Sequence, residues 1–214
     1  MPHVKRARQA AAEATQRSIV EAAARLCGER GYHATSVAEI ARAAGVAVQT
    51  IYNSVGGKRD VLSLVLDVAA AGPEAPAKVR QFMLERTEHE TDPVKVIEAL
   101  VDFWRGAVVR TAPVFRILRE AAAVDPEAAE LERARAAQRL RNYHEAARLL
   151  EQLGALRSGL GRSEAAAIIF ALGPGESHAT LRRELGWSVD VWCDWVRDAL
   201  VAALLDPATR RDSR

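Results

Sequence analysis

The sequence predicts an all-α protein, and three observations support this fold class. Strong helix formers, above all alanine, leucine, arginine and glutamate, are abundant among its 214 residues. Apolar residues recur at three- and four-residue spacings along most of the chain. No run of alternating apolar and polar residues bounded by turn residues occurs, so no strand is predicted. The 49% hydrophobic share is enough for a core, and the 5% aromatic share indicates that aliphatic side chains fill most of it.

The N-terminal part of the chain predicts three helices in succession. The first spans residues 15–30, because apolar residues recur along one face there. The second begins at Ser36, whose hydroxyl can cap the helix while Glu39, three residues on, completes a capping box. Gly45 then permits a tight turn, and a short third helix presents small polar groups and a tyrosine on its outward side. The outward residues are Val48, Gln49, Tyr52 and Asn53.

Further helices follow, separated by glycine, proline and aspartate. Two of them are expected to start at Asp-Pro pairs, because Asp can cap a helix and Pro is tolerated at its first position. Ser163 is expected to cap the helix that ends at Leu172, and Gly173-Pro174-Gly175 is expected to interrupt the chain after it. The helices after residue 58 are predicted at about 59–71, 76–90, 93–110, 112–124, 126–153, 163–172, a turn or two as far as 185, and 188–205.

The charge distribution separates the first 60 residues from the rest. The chain carries a formal net charge of only +2, but residues 1–60 hold nine Lys and Arg against five Asp and Glu. The remaining residues hold 21 basic and 23 acidic side chains. A basic N-terminal module on a mildly acidic body is the distribution expected if only the first part contacts DNA phosphates.

Two short helices around a glycine, with polar groups exposed on the second, have the size that fits the major groove of B-DNA. On pattern alone, an ordinary helical hairpin remains the alternative. An enzyme is a distant second hypothesis, because no nucleophile elbow occurs and no strand precedes the glycine pairs.

Metal, cofactor and membrane sites are not predicted. The histidines have no ligand-spaced partner, and Cys27 and Cys193 lie far apart in apolar helical patterns, which favours two buried thiols. No segment reaches the roughly 18 uncharged residues of a membrane span, so a cytoplasmic protein is expected. The four histidines considered are His33, His89, His144 and His178.

A specific resemblance lies between residues 15 and 66. The stretch GYHATSVAEIA from Gly31 to Ala41, followed by Ala44-Gly45-Val46, Thr50-Ile51-Tyr52 and Gly57-Lys58, closely resembles the TetR family of transcriptional regulators. The resemblance implies base contacts by Val48, Gln49, Thr50 and Asn53. It also implies phosphate contacts by Ser36, Thr50, Tyr52 and Lys58. One departure is Ala47, which stands where the family often has a serine cap.

The resemblance also implies the organisation of the chain. A helix-turn-helix domain in an N-terminal three-helix bundle is expected at residues 1–60, and a larger helical domain for effector binding and dimerisation at 61–214. The family places a ligand cavity among its middle helices, and an aromatic-lined pocket is the usual form of a small-molecule site. The expected lining residues are Phe82, Phe103, Trp104, Phe115 and Tyr143.

The last predicted helix is apolar nearly all round, so it must be buried on more than one side. From the residues alone it is either a central core helix or part of a subunit interface. The resemblance adds that the last two helices of the family pair across a two-fold axis. The expected interface residues are Phe170, Trp192, Val196 and Leu200.

Together these observations predict a homodimeric repressor that binds a palindromic operator in double-stranded DNA and is released by a small molecule of unknown identity. A regulator that responds to a protein partner and an activator remain open alternatives.

Overall fold

A computed structural model describes residues 2–72 and 89–208, and within these ranges the fold is helical, with one isolated bridge between Leu156 and Leu205. The all-α prediction is therefore confirmed. None of these helices is long and apolar enough to cross a membrane. The helix predicted at 76–90 lies outside the described residues as far as position 88. The helices are α1 (Pro2–Arg30), α2 (Val37–Ala44), α3 (Val48–Ser54), α4 (Lys58–Ala71), α5 (Pro93–Ala122), α6 (Pro126–Gln152), α7 (Arg162–Leu172), α8 (Glu176–Arg183) and α9 (Val189–Leu204).

The chain forms two compact units. The first consists of Met1–Ala70 and Pro113–Ala134, and the second of Ala71–Ala112 and Arg135–Arg214. Helices α5 and α6 are therefore each divided between the two units. The functional division predicted at residue 60 stays a prediction, since the first unit takes in residues from both sides of that position.

The first unit has a core drawn from six helices. Ile19 of α1, Ile40 of α2, Ile51 of α3 and Leu118 of α5 are essentially inaccessible to solvent. Burying such a side chain contributes about 1.5–3 kcal/mol relative to leaving it exposed. The short helices α2 and α3, which could not persist alone in water, are thus held by tertiary packing.

The second unit has a core of its own, formed around α9. One face of this helix is wholly buried and packs with residues of α5, α6 and α7. Cys193 is part of that face, and Cys27 lies in the core of the first unit. Both thiols are buried and unbridged, as the sequence predicted. The buried α9 residues are Trp192, Cys193, Val196, Leu200 and Leu204.

Helix α5 corrects the sequence prediction, which divided it into helices at 93–110 and 112–124. The structure has one continuous helix with Pro113 in its interior. Proline removes the hydrogen bond to the carbonyl four residues earlier, that of Val109, and such a site usually costs about 3 kcal/mol. Val109 and Pro113 are both exposed, so water can satisfy that carbonyl.

Helix starts were predicted with mixed success. The capping residue Ser36 and the two Asp-Pro starts are confirmed, with the Asp92 and Asp125 carboxylates accepting backbone N–H bonds of the first turn. Ser163 lies inside α7, whose cap is Gly161, so its predicted role is wrong. Helix α1 starts well before residue 15, because its polar first half, rich in alanine, has high helix propensity without any apolar periodicity.

Candidate nucleic-acid interface and effector site

The N-terminus of α2 is fixed by a complete capping box. The Glu39 N–H donates to Ser36 Oγ at 3.1 Å, while the Ser36 N–H and hydroxyl both donate to Glu39 Oε2 at 2.8 Å. These hydrogen bonds stabilise the carboxylate and lower the pKa of Glu39. The start of the helix-turn-helix is thus set by two side chains that satisfy each other's backbone groups.

The turn between α2 and α3 depends on Gly45. Its φ of 69° lies in the left-handed region, which glycine adopts without the strain that a Cβ would introduce. The Val46 N–H then donates to the Ala41 carbonyl at 3.0 Å and closes the end of α2. Helix α3 begins at Val48, and its N-cap residue Ala47 supplies no side-chain hydrogen bond, so the position of the helix rests mainly on the buried Ile51.

The outward side of α3 carries most of the residues expected to contact bases. Val48 and Tyr52 are 40% and 52% exposed, and Gln49 and Asn53 are exposed beside them. The Gln49 side-chain amide donates to Asn53 Oδ1 at 2.8 Å. Thr50 is half-buried at the edge of this face. The helix therefore presents an apolar side chain, two amides and a phenol to solvent, all of which can contact base edges or phosphates.

The residues expected to contact phosphate differ in how available they are. Tyr52 is exposed, whereas both donors of Ser36 are bonded to Glu39. Lys58 begins α4, and its Nζ lies 4.1 Å from the centre of the Tyr32 ring and 3.5 Å from the His33 carbonyl oxygen. Partial burial lowers the pKa of Lys58. A phosphate at this position would compete with these internal contacts for the ammonium group.

Glu39→Gln tests whether the charge of Glu39 stabilises the capping box, and the variant is expected to be less stable than the wild type above pH 4.5. Glutamine can still accept from the Ser36 N–H, but the charged carboxylate accepts more strongly. Folding lowers the pKa of Glu39 from 4.5. The extra stability of the wild-type protein is therefore present above pH 4.5 and is lost as the pH falls further. Chemical unfolding of both proteins across this pH range measures the difference. If the free energies of unfolding of the two proteins differed by the same amount at all pH values, the ionised carboxylate of Glu39 would not be the source of the stability.

The second unit contains a cluster of aromatic side chains, which we call the aromatic cluster. Trp104 lies between Tyr143 and Trp192, with ring centres 5.8 and 6.0 Å away. Tyr143 also meets the Phe170 ring edge-on at 6.2 Å, and His178 meets Trp192 edge-on at 4.6 Å. Such edge-on pairs are each worth about 0.5–1.5 kcal/mol beyond their buried area.

The close packing of Trp104 requires a glycine in the break after α7. A Cβ built on Gly173 would lie 2.9 Å from two atoms of the Trp104 ring and 2.8 Å from the Ile169 carbonyl oxygen. The backbone conformation at Gly173, with a φ of −71°, is open to other residues. The glycine is therefore needed for space and not for its freedom of rotation.

Polar groups within the aromatic cluster are mainly hydrogen-bond donors. The Trp104 ring lies edge-on to Tyr143, and burial raises the pKa of Tyr143 to about 12. The Arg139 guanidinium lies 5.2 Å from the centre of the Phe170 ring and donates to the Pro174 carbonyl at 3.1 Å. The Trp192 Nε1–H is buried and finds no hydrogen-bond acceptor among the residues that the structure describes.

The residues expected to line a pocket do not all come together. Trp104 and Tyr143 lie in the aromatic cluster, and Phe103 packs against the same core. Phe115 packs in the core of the first unit instead, and Phe82 lies outside the described residues. Sequence reasoning missed His178 and Arg139 as neighbours of these rings, since nothing in the local pattern distinguishes them from surface residues.

The residues expected at a dimer interface lie deep in the second unit. Trp192, Val196 and Leu200 are 0% exposed, and the half-buried Phe170 packs against Tyr143. A partner could contact the opposite side of α9, where apolar residues at helical spacing stay exposed or half-buried. We call this set the α9 stripe, and it consists of Val191, Trp195, Ala199 and Ala202.

The polar side of α9 is engaged within its own unit. Arg105 of α5 pairs with Asp190 and, at 3.9 Å, with Asp194, while Arg197 pairs with Asp198 at 3.0 Å. Across the described residues, no group of three or more His, Cys, Asp or Glu side chains is arranged to hold a metal ion.

Comparison with known proteins connects this geometry with one family. The model of the family described as "Bacterial regulatory proteins, tetR family" matches residues 19–65, which span the last part of α1, all of α2 and α3, and the first part of α4. No curated protein matches the chain significantly.

Several solved structures have a fold similar to most of the chain. NalD, the secondary repressor of the MexAB-OprM multidrug efflux pump in Pseudomonas aeruginosa, superposes with a TM-score of 0.71 at 21% identity, over 92% of this chain and 99% of NalD. SmeT of Stenotrophomonas maltophilia, in complex with triclosan, gives 0.70 at 19% identity over 92% and 94% of the two chains. A transcriptional regulator from Saccharomonospora viridis in complex with choline gives 0.65 at 21% identity over 89% and 97%.

The family match covers the capping box, the Gly45 turn and the exposed face of α3, and the fold extends over almost the whole chain. Residues 19–65 therefore match the tetR family of bacterial regulatory proteins, and the helical fold of the chain is similar to that of the solved regulators described above.

Proposed function

We propose that the protein is a transcriptional regulator that reads a specific operator by inserting α3 into the major groove of DNA. The observation that carries the proposal is the exposed face of α3, held by a capped α2 and the left-handed Gly45. Glutamine and asparagine can bond bidentately to adenine, and a valine or threonine methyl can pack on the thymine methyl. The proposed base contacts are Val48, Gln49, Thr50 and Asn53.

Phosphate contacts would fix the register of α3. We assign them to Ser36, Thr50, Tyr52 and Lys58. The start of α4, where Lys58 lies, offers backbone N–H groups and the positive end of a helix dipole, and both favour an anion. The Lys58 ammonium lies next to these groups, where it contacts the Tyr32 ring and donates one long hydrogen bond to the His33 carbonyl oxygen, and a phosphate would compete with both contacts.

We infer that the regulator works as a homodimer whose two recognition helices enter successive major grooves about 34–36 Å apart. The α9 stripe supports this, because it leaves a continuous apolar strip on a helix whose polar side is already paired. Its partner would be the same strip of a second copy, as in an interface with two-fold symmetry.

Trp195→Glu is expected to separate this dimer into folded monomers, since it places a charge in the apolar strip. Trp192→Glu should instead unfold the second unit, because Trp192 has no exposed surface. Sedimentation at micromolar concentration, combined with circular dichroism, distinguishes the two results. Asp198→Asn, on the polar side of α9, is the matched control and should stay dimeric. A wild type that sediments as a folded monomer would refute the interface.

We further propose that the protein acts as a repressor and leaves its operator when a small molecule binds the second unit. Two fold relatives support this choice: NalD and SmeT are described as repressors of multidrug efflux pumps, and SmeT was solved with triclosan. Release requires that the ligand bind the DNA-free state more tightly, by about 1–3 kcal/mol in typical cases.

Selection from a library of random DNA duplexes tests the proposed function directly. We expect enrichment of a palindrome whose half-sites are one helical turn apart, and reporter expression that rises when the regulator is removed. Failure to enrich any sequence would exclude specific DNA recognition. Reporter expression that falls on removal of the regulator would indicate an activator, and operator affinity that no compound of a broad panel alters would favour a protein partner.

A further inference from the structure

The first turn of α4 holds a carboxylate of its own chain. Asp60 Oδ2 accepts from the Gly57 N–H at 2.9 Å, and Asp60 Oδ1 accepts from Arg59 Nη2 at 3.1 Å. A Cβ built on Gly56 would lie within 3.1 Å of three atoms of the Asp60 side chain, so the carboxyl group occupies space that only a glycine leaves open. Asp60 is therefore folded back against the start of the helix, between a backbone donor and a guanidinium group.

A DNA phosphate at this place would need the same donors as Asp60. Carboxylate and phosphate oxygens both accept hydrogen bonds from backbone N–H groups and from guanidinium, so the two anions compete. The Arg59 side chain is 43% exposed, and the hydrogen bond and charge of Asp60 raise its pKa. The charges of Glu127 and Glu130 in α6 add to this effect. Arg59, the neighbour of Lys58, is thus already paired with a carboxylate of its own chain.

We infer that Asp60 is a negative determinant of DNA binding: its carboxylate occupies the position of a DNA phosphate at the start of α4 and keeps Arg59 away from the DNA backbone. The inference rests on the proposed phosphate contact by Lys58, which lies in the same helical turn. Asp60 has to release the Gly57 N–H and Arg59 before a phosphate can bind both. Because phosphates carry no sequence information, this exchange is the same on every DNA. Asp60 therefore limits the affinity for operator and random DNA alike and leaves the base preference to α3.

Asp60→Asn tests the inference, because it removes the charge and keeps an oxygen that can accept from the Gly57 N–H. Fluorescence anisotropy of the full chain with a labelled random duplex, and with the selected operator, measures the affinity from about 50 to 200 mM salt. At the lowest salt we expect about fivefold tighter binding per subunit on both duplexes, the effect of two like charges about 4 Å apart in water. The slope of log affinity against log salt should steepen by about one unit per subunit, since screening weakens the repulsion and Arg59 becomes available to the DNA.

Two matched variants separate the position of the charge from its presence. Asp198→Asn removes the carboxylate of a similar pair of adjacent residues in the second unit, where Arg197 Nη2 lies 3.0 Å from Asp198 Oδ1. It changes the net charge by the same amount as Asp60→Asn and should alter the affinity less than twofold. Asp60→Glu keeps the charge at the start of α4 and introduces the residue type that caps α2 through Glu39, so it should bind DNA within twofold of the wild type.

The outcomes distinguish this inference from the proposed function. Circular dichroism establishes that each variant is folded, and if Asp60→Asn does not fold, Asp60→Ser, whose hydroxyl can also accept from the Gly57 N–H, takes its place. Unchanged or weaker DNA binding by the folded variant, or an equal gain with Asp198→Asn, would overturn the inference. If the wild type binds the operator and loss of the Asp60 charge brings no gain, the proposed function stands and Asp60 is only a helix cap. If the wild type binds neither duplex, the proposed function itself fails.

Discussion

Gln49→Ala is expected to weaken operator binding by about 1–3 kcal/mol in each half-site, with the loss confined to one base pair. Gln49 lies on the exposed face of α3, and its side-chain amide donates to Asn53 Oδ1 at 2.8 Å. Because it would contact a base edge, its removal should relax the preference at that base pair and leave the salt dependence almost unchanged. Gel shifts on operators with single base substitutions measure both effects.

Lys58→Ala is expected to change the salt dependence of DNA binding and to leave the base preference unchanged, so it is the control for Gln49→Ala. Loss of a phosphate contact should weaken binding to the operator and to random DNA alike. The slope of log affinity against log salt should become shallower by about one unit per subunit. Lys58 also packs on Tyr32, so the melting temperature of the variant must be measured to correct for lost stability. If Lys58→Ala altered base preference and Gln49→Ala weakened all sequences equally, the placement of α3 in the groove would be wrong.

Gly173→Ala is expected to lower the free energy of unfolding by about 1–3 kcal/mol, which is the usual range for an overpacked core. The new methyl group would lie 2.9 Å from the Trp104 ring and 2.8 Å from a backbone carbonyl oxygen, and neither can yield easily. Displacing Trp104 would also disturb its contacts with Tyr143 and Trp192. Chemical denaturation monitored by tryptophan fluorescence measures the change.

Gly106→Ala is the matched control for Gly173. Gly106 lies inside α5 in the same unit, and a Cβ built there meets nothing within 4 Å. Alanine should therefore raise the stability by about 0.5–1 kcal/mol through its higher helix propensity. If both substitutions destabilised the protein equally, the crowding at Gly173 would not be the cause of the lost stability.

The local structure of the helix-turn-helix could be predicted from the sequence because its determinants are local. Ser36 and Glu39 are three residues apart, Gly45 needs only its own backbone freedom, and the outward side of α3 follows from helical spacing. The prediction of two separate helices around Pro113 was wrong. Tertiary packing of the residues before and after Pro113 outweighs the lost hydrogen bond and keeps α5 continuous.

The aromatic cluster could not be predicted in the same way, because its members come from five different parts of the chain. The apolar pattern of α9 indicates that Trp192 is buried, but not that its neighbours are Trp104 and His178. Because α9 is apolar nearly all round, its sequence does not distinguish the apolar residues that face the core from those that stay on the surface. Only the fold separates the core face from the α9 stripe.

The discontinuous first unit limits how DNA-binding specificity could be transferred between regulators. Val114, Ile117 and Leu118 of α5 and Ala128 and Leu131 of α6 belong to the same core as Ile19 and Ile51. A chimera that carried only residues 1–70 into another regulator would have to bury foreign side chains at all of these positions. A successful graft would therefore exchange residues 113–134 as well, so that a change of operator requires changes in two distant parts of the gene.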